Sequence, residues 1–343
     1  MPAIPPYNPI SAEKIALGRR LFYDVRLSAN QMQSCGSCHE QRLGFSDAQR
    51  TPKGSTEQQL HRNSPGLANV AYFSTLTWAN PSLRDLEDQL PVPILGDNPI
   101  ELGVSDGVRA DVLARFDDDR TYRKLFRAAF PESTSGATID KIVFALASFC
   151  RTLISGNSPY DRYIAGDKSA LTDSQRRGIG LIAGERMECF HCHSGTNLTV
   201  SYHDANTTED TARYPFFNDG LYNLDGHGAY PPLDQGLYDV TFDDADRGLF
   251  RPPTLRNIAL TAPYMHDGSV PDLRAVLEHY AAGGTVIEDG PLAGDGRLNP
   301  LKSGLIRGFK LTAQETEDVL AFFESLTDDD FVNNPAFSDP FAE

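Results

Sequence analysis

Four of the five cysteines stand in two copies of one arrangement, Cys35-Gly-Ser-Cys38-His39 and Cys189-Phe190-His191-Cys192-His193. Two thiols about one helical turn apart reach the two vinyl groups of a haem and form thioethers with them, and the histidine that follows is held beneath the ring to bind its iron. Two such motifs, using nearly every cysteine, set aside disulfides, a zinc knuckle or a thioredoxin-like pair. They predict two covalently bound haem c groups with His39 and His193 as iron ligands. Cys150 has no companion motif and follows the apolar run Ile142 to Phe149, so it reads as a small buried hydrophobe at the end of a buried helix.

The elements that position these motifs are helical. Gly18, Leu21-Phe22 and then Cys35 are echoed by Gly178, Leu181-Ile182 and then Cys189, a weak internal repeat with about six extra residues in the first copy. Each copy predicts a helix leading into a haem-attachment turn. A break near Gly156 to Lys168 divides the chain into residues 1–160 and 161–343, giving a mainly α fold of two cytochrome c-like helical haem domains with long loops and little strand. Leu171-Thr172-Asp173 and Thr312-Ala-Gln-Glu315 are helix starts, the latter a capping box. The Gly-, Asn-, Asp- and Pro-rich stretches 203–247 and 283–308 read as loops, and the acidic tail 327–343 as a surface wrap.

With 31 Lys and Arg against 47 Asp and Glu, the formal net charge of −16 argues against nucleic acid and anionic membranes and favours a partner with a basic face. No apolar run reaches the eighteen or so residues of a membrane span. Covalent haem attachment takes place on the oxidising side of a bacterial membrane, so the expected location is the periplasm, with a signal peptide removed ahead of Pro2.

The segments Phe250-Arg251-Pro252-Pro253-Thr254-Leu255-Arg256-Asn257 and Thr261-Ala262-Pro263-Tyr264-Met265-His266-Asp267-Gly268 resemble the signature of bacterial dihaem cytochrome c peroxidases and the related MauG enzymes. Arg62-Asn63-Ser64-Pro65, Leu86-Glu87-Asp88-Gln89 and Pro99-Ile100-Glu101-Leu102-Gly103 extend the resemblance along nearly the whole chain. Leu76-Thr77-Trp78-Ala79-Asn80-Pro81 and Glu188 to His193 are most similar to the MbnH-like branch.

The resemblance implies roles. The haem of His39 is the open, peroxide-reactive one, with Glu101 as acid/base, Gln89 orienting the bound oxygen species and Pro93 limiting access. The loop Gly54 to Gln58 lacks the histidine that blocks this iron in some relatives. Arg256 and His266 belong to the haem environment, Trp78 lies between the haems, and Asn63, Thr261 and Pro263 hold calcium. Fourteen residues beyond His266 stands Tyr280, where peroxidases of the family place a methionine ligand and MauG a tyrosine. Met265 and His279 compete with it as second ligand of the His193 haem. The activity implied is oxidation, by hydrogen peroxide through a bis-ferryl type state, of a tryptophan on a periplasmic partner protein. The alternatives are a cytochrome c peroxidase drawing electrons from a small redox protein, and a dihaem electron carrier without catalysis.

Overall fold

In a computed structural model, which describes residues 1–208 and 213–342, helices are joined by long irregular connections. In chain order they are α1 (Ala12–Tyr23), α2 (Cys35–Cys38), α3 (Leu86–Gln89), α4 (Pro91–Leu95), α5 (Arg109–Asp117), α6 (Arg120–Ala129), α7 (Ile139–Cys150), α8 (Pro159–Ile164), α9 (Asp173–Ile182), α10 (Tyr238–Thr241), α11 (Leu273–Ala282), α12 (Ala313–Glu324) and α13 (Asp329–Val332). Among the described residues the only strands form one two-stranded antiparallel ladder, Val286–Ile287 with Gly294–Asp295. The fold is mainly α with long loops, as the sequence predicts.

Two helix pairs carry the architecture, and the repeat read from the sequence is the reason. Helix α1 crosses α7, and α9 crosses α12, each at a glycine. A Cβ on Gly18 would lie 1.9 Å from the Ala145 carbonyl oxygen, and one on Gly178 would lie 2.1 Å from that of Asp318. The next neighbours are the Cβ atoms of Phe149 and Phe322, each four residues further along its helix, so the two crossings are copies of one another. Side-chain caps fix the starts: Ser11 and Thr138 accept from Lys14 and Lys141 N–H, and Thr172 and Thr312 form capping boxes with Gln175 and Glu315.

The first pair buries Leu17, Leu21, Phe22, Leu146 and Phe149 in one apolar cluster, and the second buries Ile182, Val319, Phe322 and Phe323 in another. A third cluster joins Trp78 from the first half to Tyr222, Tyr230, Phe250 and Tyr264 from the second.

Two expectations change. Helix α8 lies inside the stretch read as a break, started by a Ser158–Asp161 capping box and Pro159 at its first position. The tail, described as far as residue 342, is an anchor rather than a loose wrap. Phe331 and Phe337 complete the first cluster, and Tyr23 and Arg19 donate to the Phe337 and Ser338 carbonyls at 2.7 Å. Residues 209–212 of the loop 203–247 lie outside the described residues.

The Gly18→Ala and Gly178→Ala variants are each expected to lose about 1–3 kcal/mol of stability through overpacking. Gly180→Ala, in the same helix as Gly178 but with nothing within 4 Å of its Cβ position, is expected to gain roughly 0.5–1 kcal/mol. Thermal unfolding followed by circular dichroism compares the three.

Candidate haem sites

At the first site α2 places Cys35 and Cys38 on one turn with His39 as its C-cap. A reversal closed by the Glu40–Ser46 bridge brings the Phe45 carbonyl to 2.8 Å from His39 Nδ1. A proton on Nδ1 then satisfies that carbonyl and leaves Nε2 as the lone-pair donor an iron needs. Burial lowers the His39 pKa, which keeps the imidazole neutral.

Glu101 is reached through the backbone around it. Leu102 N–H donates to the Pro93 carbonyl at 2.9 Å, Ser55 N–H to the Glu101 carbonyl at 2.7 Å, and a Cβ on Gly54 would lie 1.7 Å from the Ile100 carbonyl oxygen. After burial, and after Cys150 for Cys35 and Asp47 for Cys38, the Glu101 carboxylate also raises the pKa of both cysteines, so its charge is felt at the attachment turn. Burial pushes its own carboxyl up to about 7. Gln89 ends α3, and α4, which contains Pro93, follows directly. The oxygens Gln89 Oε1, Gln33 Oε1 and Ser55 Oγ are buried without partners among the described residues. Behind α3, the Glu87–Arg151 ion pair, bidentate at 2.7 and 2.6 Å and nearly fully buried, fixes the helix that presents Gln89.

The second site opens into a cavity of about 320 Å³ whose walls include Cys189, Cys192, His193 and Tyr280. Burial pushes the His193 imidazole down to about 4, so it is neutral, and the Leu198 and Pro253 carbonyls face its ring, although Nδ1 has no partner at hydrogen-bonding geometry among the described residues. Tyr280 comes from α11, which Asp272 caps and Gly283, in the left-handed region at φ 76°, ends. Its hydroxyl makes no hydrogen bond within the described residues, and burial raises its pKa well above the ordinary phenol value. His279 is withdrawn from the contest for iron: Nδ1 is 2.7 Å from Thr285 Oγ1 and Nε2 is 3.1 Å from the Asp219 carbonyl. Met265 also lines the cavity.

Trp78, Asn63, Thr261, Pro263, Arg256 and His266 line the same cavity. Trp78 Nε1 donates to the Asn63 carbonyl at 2.8 Å, and the Asn63 amide donates to the Gln49 carbonyl at 2.8 Å. Arg256 forms a bidentate pair with Asp161 at 2.8 and 2.9 Å. His266 stacks on Phe250 at 3.6 Å, and its Nε2 lies 3.8 Å from Asp234, which is itself paired with Arg62.

Sequence reasoning missed Arg251. It is 1% exposed, and no carboxylate of the described residues pairs with it. Its Nε donates to the Thr77 carbonyl at 2.9 Å, and its guanidinium lies 4.6 Å from the Phe73 ring centre. Burial pushes its pKa down to about 10. A buried guanidinium bordering a cavity in an acidic chain suits an anion there, and a haem propionate is one. This, the apolar walls, the neutral histidines and the paired thiols fit a haem at the second site. At the first, the buried unpartnered oxygens and the His39 geometry fit another.

A family model of di-haem cytochrome c peroxidases matches residues 12–169, and one of RoxA-like, cytochrome c-like proteins matches residues 249–281. Cytochrome-c peroxidase IdrP1 of Pseudomonas sp. strain SCT is 35% identical, over 94% of this chain and 83% of its own length. Methylamine utilization protein MauG of Methylorubrum extorquens is 34% identical, over 94% of this chain and 80% of its own. A crystal structure of a MauG-like protein associated with microbial copper homeostasis is 49% identical and superposes with a TM-score of 0.96, covering 99% of this chain and 97% of that one.

Cys150 is buried in the first apolar cluster at the end of α7 and belongs to neither Cys-x-x-Cys-His turn. The Cys35→Ser/Cys38→Ser variant is expected to retain one covalent haem, and Cys150→Ser to retain both, by mass spectrometry of the denatured protein.

Proposed function

The chain belongs to the di-haem cytochrome c peroxidase family that includes MauG, and on that footing we propose that it uses hydrogen peroxide to oxidise a tryptophan on a partner protein in the periplasm. Bound haem supplies iron that binds peroxide and holds its two oxidising equivalents. The chain's own residues do the rest. Glu101, ionised, takes the proton from the inner peroxide oxygen and returns it to the outer one, so that water leaves. The Gln89 amide orients the bound peroxide, and Pro93 narrows the approach. Trp78 couples the two sites, and Asn63, Thr261 and Pro263 hold a calcium ion through oxygen donors.

The observation that carries this reading is Tyr280, which shares a cavity with His193 and whose hydroxyl makes no hydrogen bond among the described residues. An anionic phenolate ligand favours ferric and higher states, whereas a thioether raises the potential. A substrate oxidised over a distance does not have to enter the pocket, which suits a macromolecular partner, and the charge of −16 suits one with a basic face. Met265, also on the cavity wall, supports a second reading, a peroxidase fed by a small redox protein through a His/Met haem.

One equivalent of peroxide added to the two-haem protein distinguishes them. An oxidised absorption spectrum that persists without donor supports the first reading, and rapid turnover only with a reduced cytochrome supports the second. Tyr280→Met is expected to raise the potential of the His193 haem and shorten the life of the oxidised state, read by potentiometry and stopped flow.

Glu101 must be ionised to act, and its pKa is raised to about 7. The peroxide reaction should therefore be fastest above pH 7 and slow as pH falls through that value. Glu101→Gln is expected to lose roughly 10²–10⁴-fold in rate and the pH dependence with it.

A further inference from the structure

We propose that Tyr222 is a redox-active tyrosine that gives up an electron towards the haem sites while its phenolic proton passes to Asp267. This rests on the peroxide-driven reading above, which supplies the oxidant. Tyr222 is 3% exposed, and its hydroxyl donates to Asp267 Oδ2 at 2.6 Å. Its ring centre lies 6.4 Å from that of His266, which stacks on Phe250 at 3.6 Å with 12° between the planes, and both of those residues line the cavity.

The other tyrosines of this region differ in what receives the proton. Tyr264 donates to the Ile258 carbonyl at 2.8 Å, and the Tyr280 hydroxyl has no partner among the described residues. Tyr230 donates to the Asn218 amide oxygen at 3.0 Å, with Asp219 Oδ1 further off at 3.4 Å. An amide or carbonyl oxygen cannot accept the proton outright, whereas a carboxylate can. A phenol that loses an electron becomes strongly acidic, and in a buried site an oxidised ring that kept its proton would be an unsolvated cation, which is costly.

Asp267 is held as the carboxylate. Arg50 Nη2 stands 3.3 Å away and Ser269 N–H donates to Oδ1 at 3.0 Å. Burial, which raises its pKa, is outweighed by His266 and by hydrogen bonds from Tyr222 and Ser269. Burial in turn keeps Tyr222 a protonated phenol.

The step balances. Hydrogen peroxide takes up two electrons and two protons to become two water molecules, and Tyr222 passes one of those electrons at a time. The O–H bond of Tyr222 breaks and one forms on Asp267, leaving a neutral tyrosyl radical beside a neutral carboxylic acid. An electron from the partner and the proton from Asp267 restore the pair. Trp78 is the only tryptophan in the chain and is buried, so onward transfer falls to tyrosines.

The test uses the two-haem protein, one equivalent of hydrogen peroxide and freeze-quench electron paramagnetic resonance. A radical whose signal narrows when tyrosine is ring-deuterated is expected in the wild type, lost in Tyr222→Phe and kept in Tyr230→Phe. It is also lost in Asp267→Asn, which retains Tyr222 but removes the base, so the assignment survives poor folding of the phenylalanine variant. A radical unaffected by tyrosine deuteration, or undiminished in Tyr222→Phe and Asp267→Asn, overturns the proposal while the peroxide reading stands. Haem absorption unmoved by peroxide overturns both.

Discussion

The Ala145 carbonyl oxygen stands where a side chain at position 18 would begin, and the Asp318 oxygen stands in the same relation to position 178. Helices brought this close lock their relative height and rotation, since ridges of one enter grooves of the other with no slack. Helix α1 ends at Tyr23, whose ring lies against Gly36 in the first attachment turn, and α9 ends at Ile182, a few residues before the second. Each cysteine pair is thus placed by a helix whose own position is set by a missing Cβ. Thioether chemistry tolerates little error in where two thiols sit, and the crossings supply that accuracy.

The same scaffold then takes opposite electrostatics. The first site offers a titratable carboxyl, Glu101, poised near neutrality by burial, while the second offers Tyr280, a phenol that burial keeps protonated until a cation meets it. Under the function proposed above, the first environment moves protons and the second stabilises a high-charge metal. Buried arginines hold the surroundings. Arg151 and Arg256 have carboxylate partners within the chain, and losing one partner of such a pair costs about 3–5 kcal/mol. Arg251 differs in having, among the described residues, backbone carbonyls and the Phe73 ring as partners but no carboxylate.

What was legible in the sequence was local. Thioether spacing, the helix start at Thr172 and the capping box at Thr312 depend on residues within a turn or two of each other, and each stands where the spacing put it. The glycine repeat at 18 and 178 was visible as a pattern, but its cause, a carbonyl from a helix more than a hundred residues away, was not. Helix α8 was lost in its Gly- and Ser-rich neighbourhood, although Ser158-Pro159 with Asp161 is itself a start signal. The anchoring of Phe331 and Phe337 under the first half had no sequence signal, since an acidic, proline-containing tail reads alike whether its two aromatics are buried or exposed.

The residues in and around the Trp78 cluster were the least legible, because their meaning is relational. Arg251, Tyr222 and Asp267 belong to ordinary residue types in loops, and none recurs at a telling interval. Asp267 is adjacent in sequence to His266, yet the contact that gives it chemical significance comes from a phenol 45 positions away. A hydrogen bond from a phenol to a carboxylate in a dry cluster is a commitment, since it removes a charge from water and must be offset by neighbours such as Arg50 and Ser269. Had packing been the sole demand on the cluster around Trp78, phenylalanine at 222 and a small apolar residue at 267 would have met it without a buried charge. As the proposed redox pair, Tyr222 and Asp267 would mark the part of the molecule where stability is subordinate to moving electrons and protons.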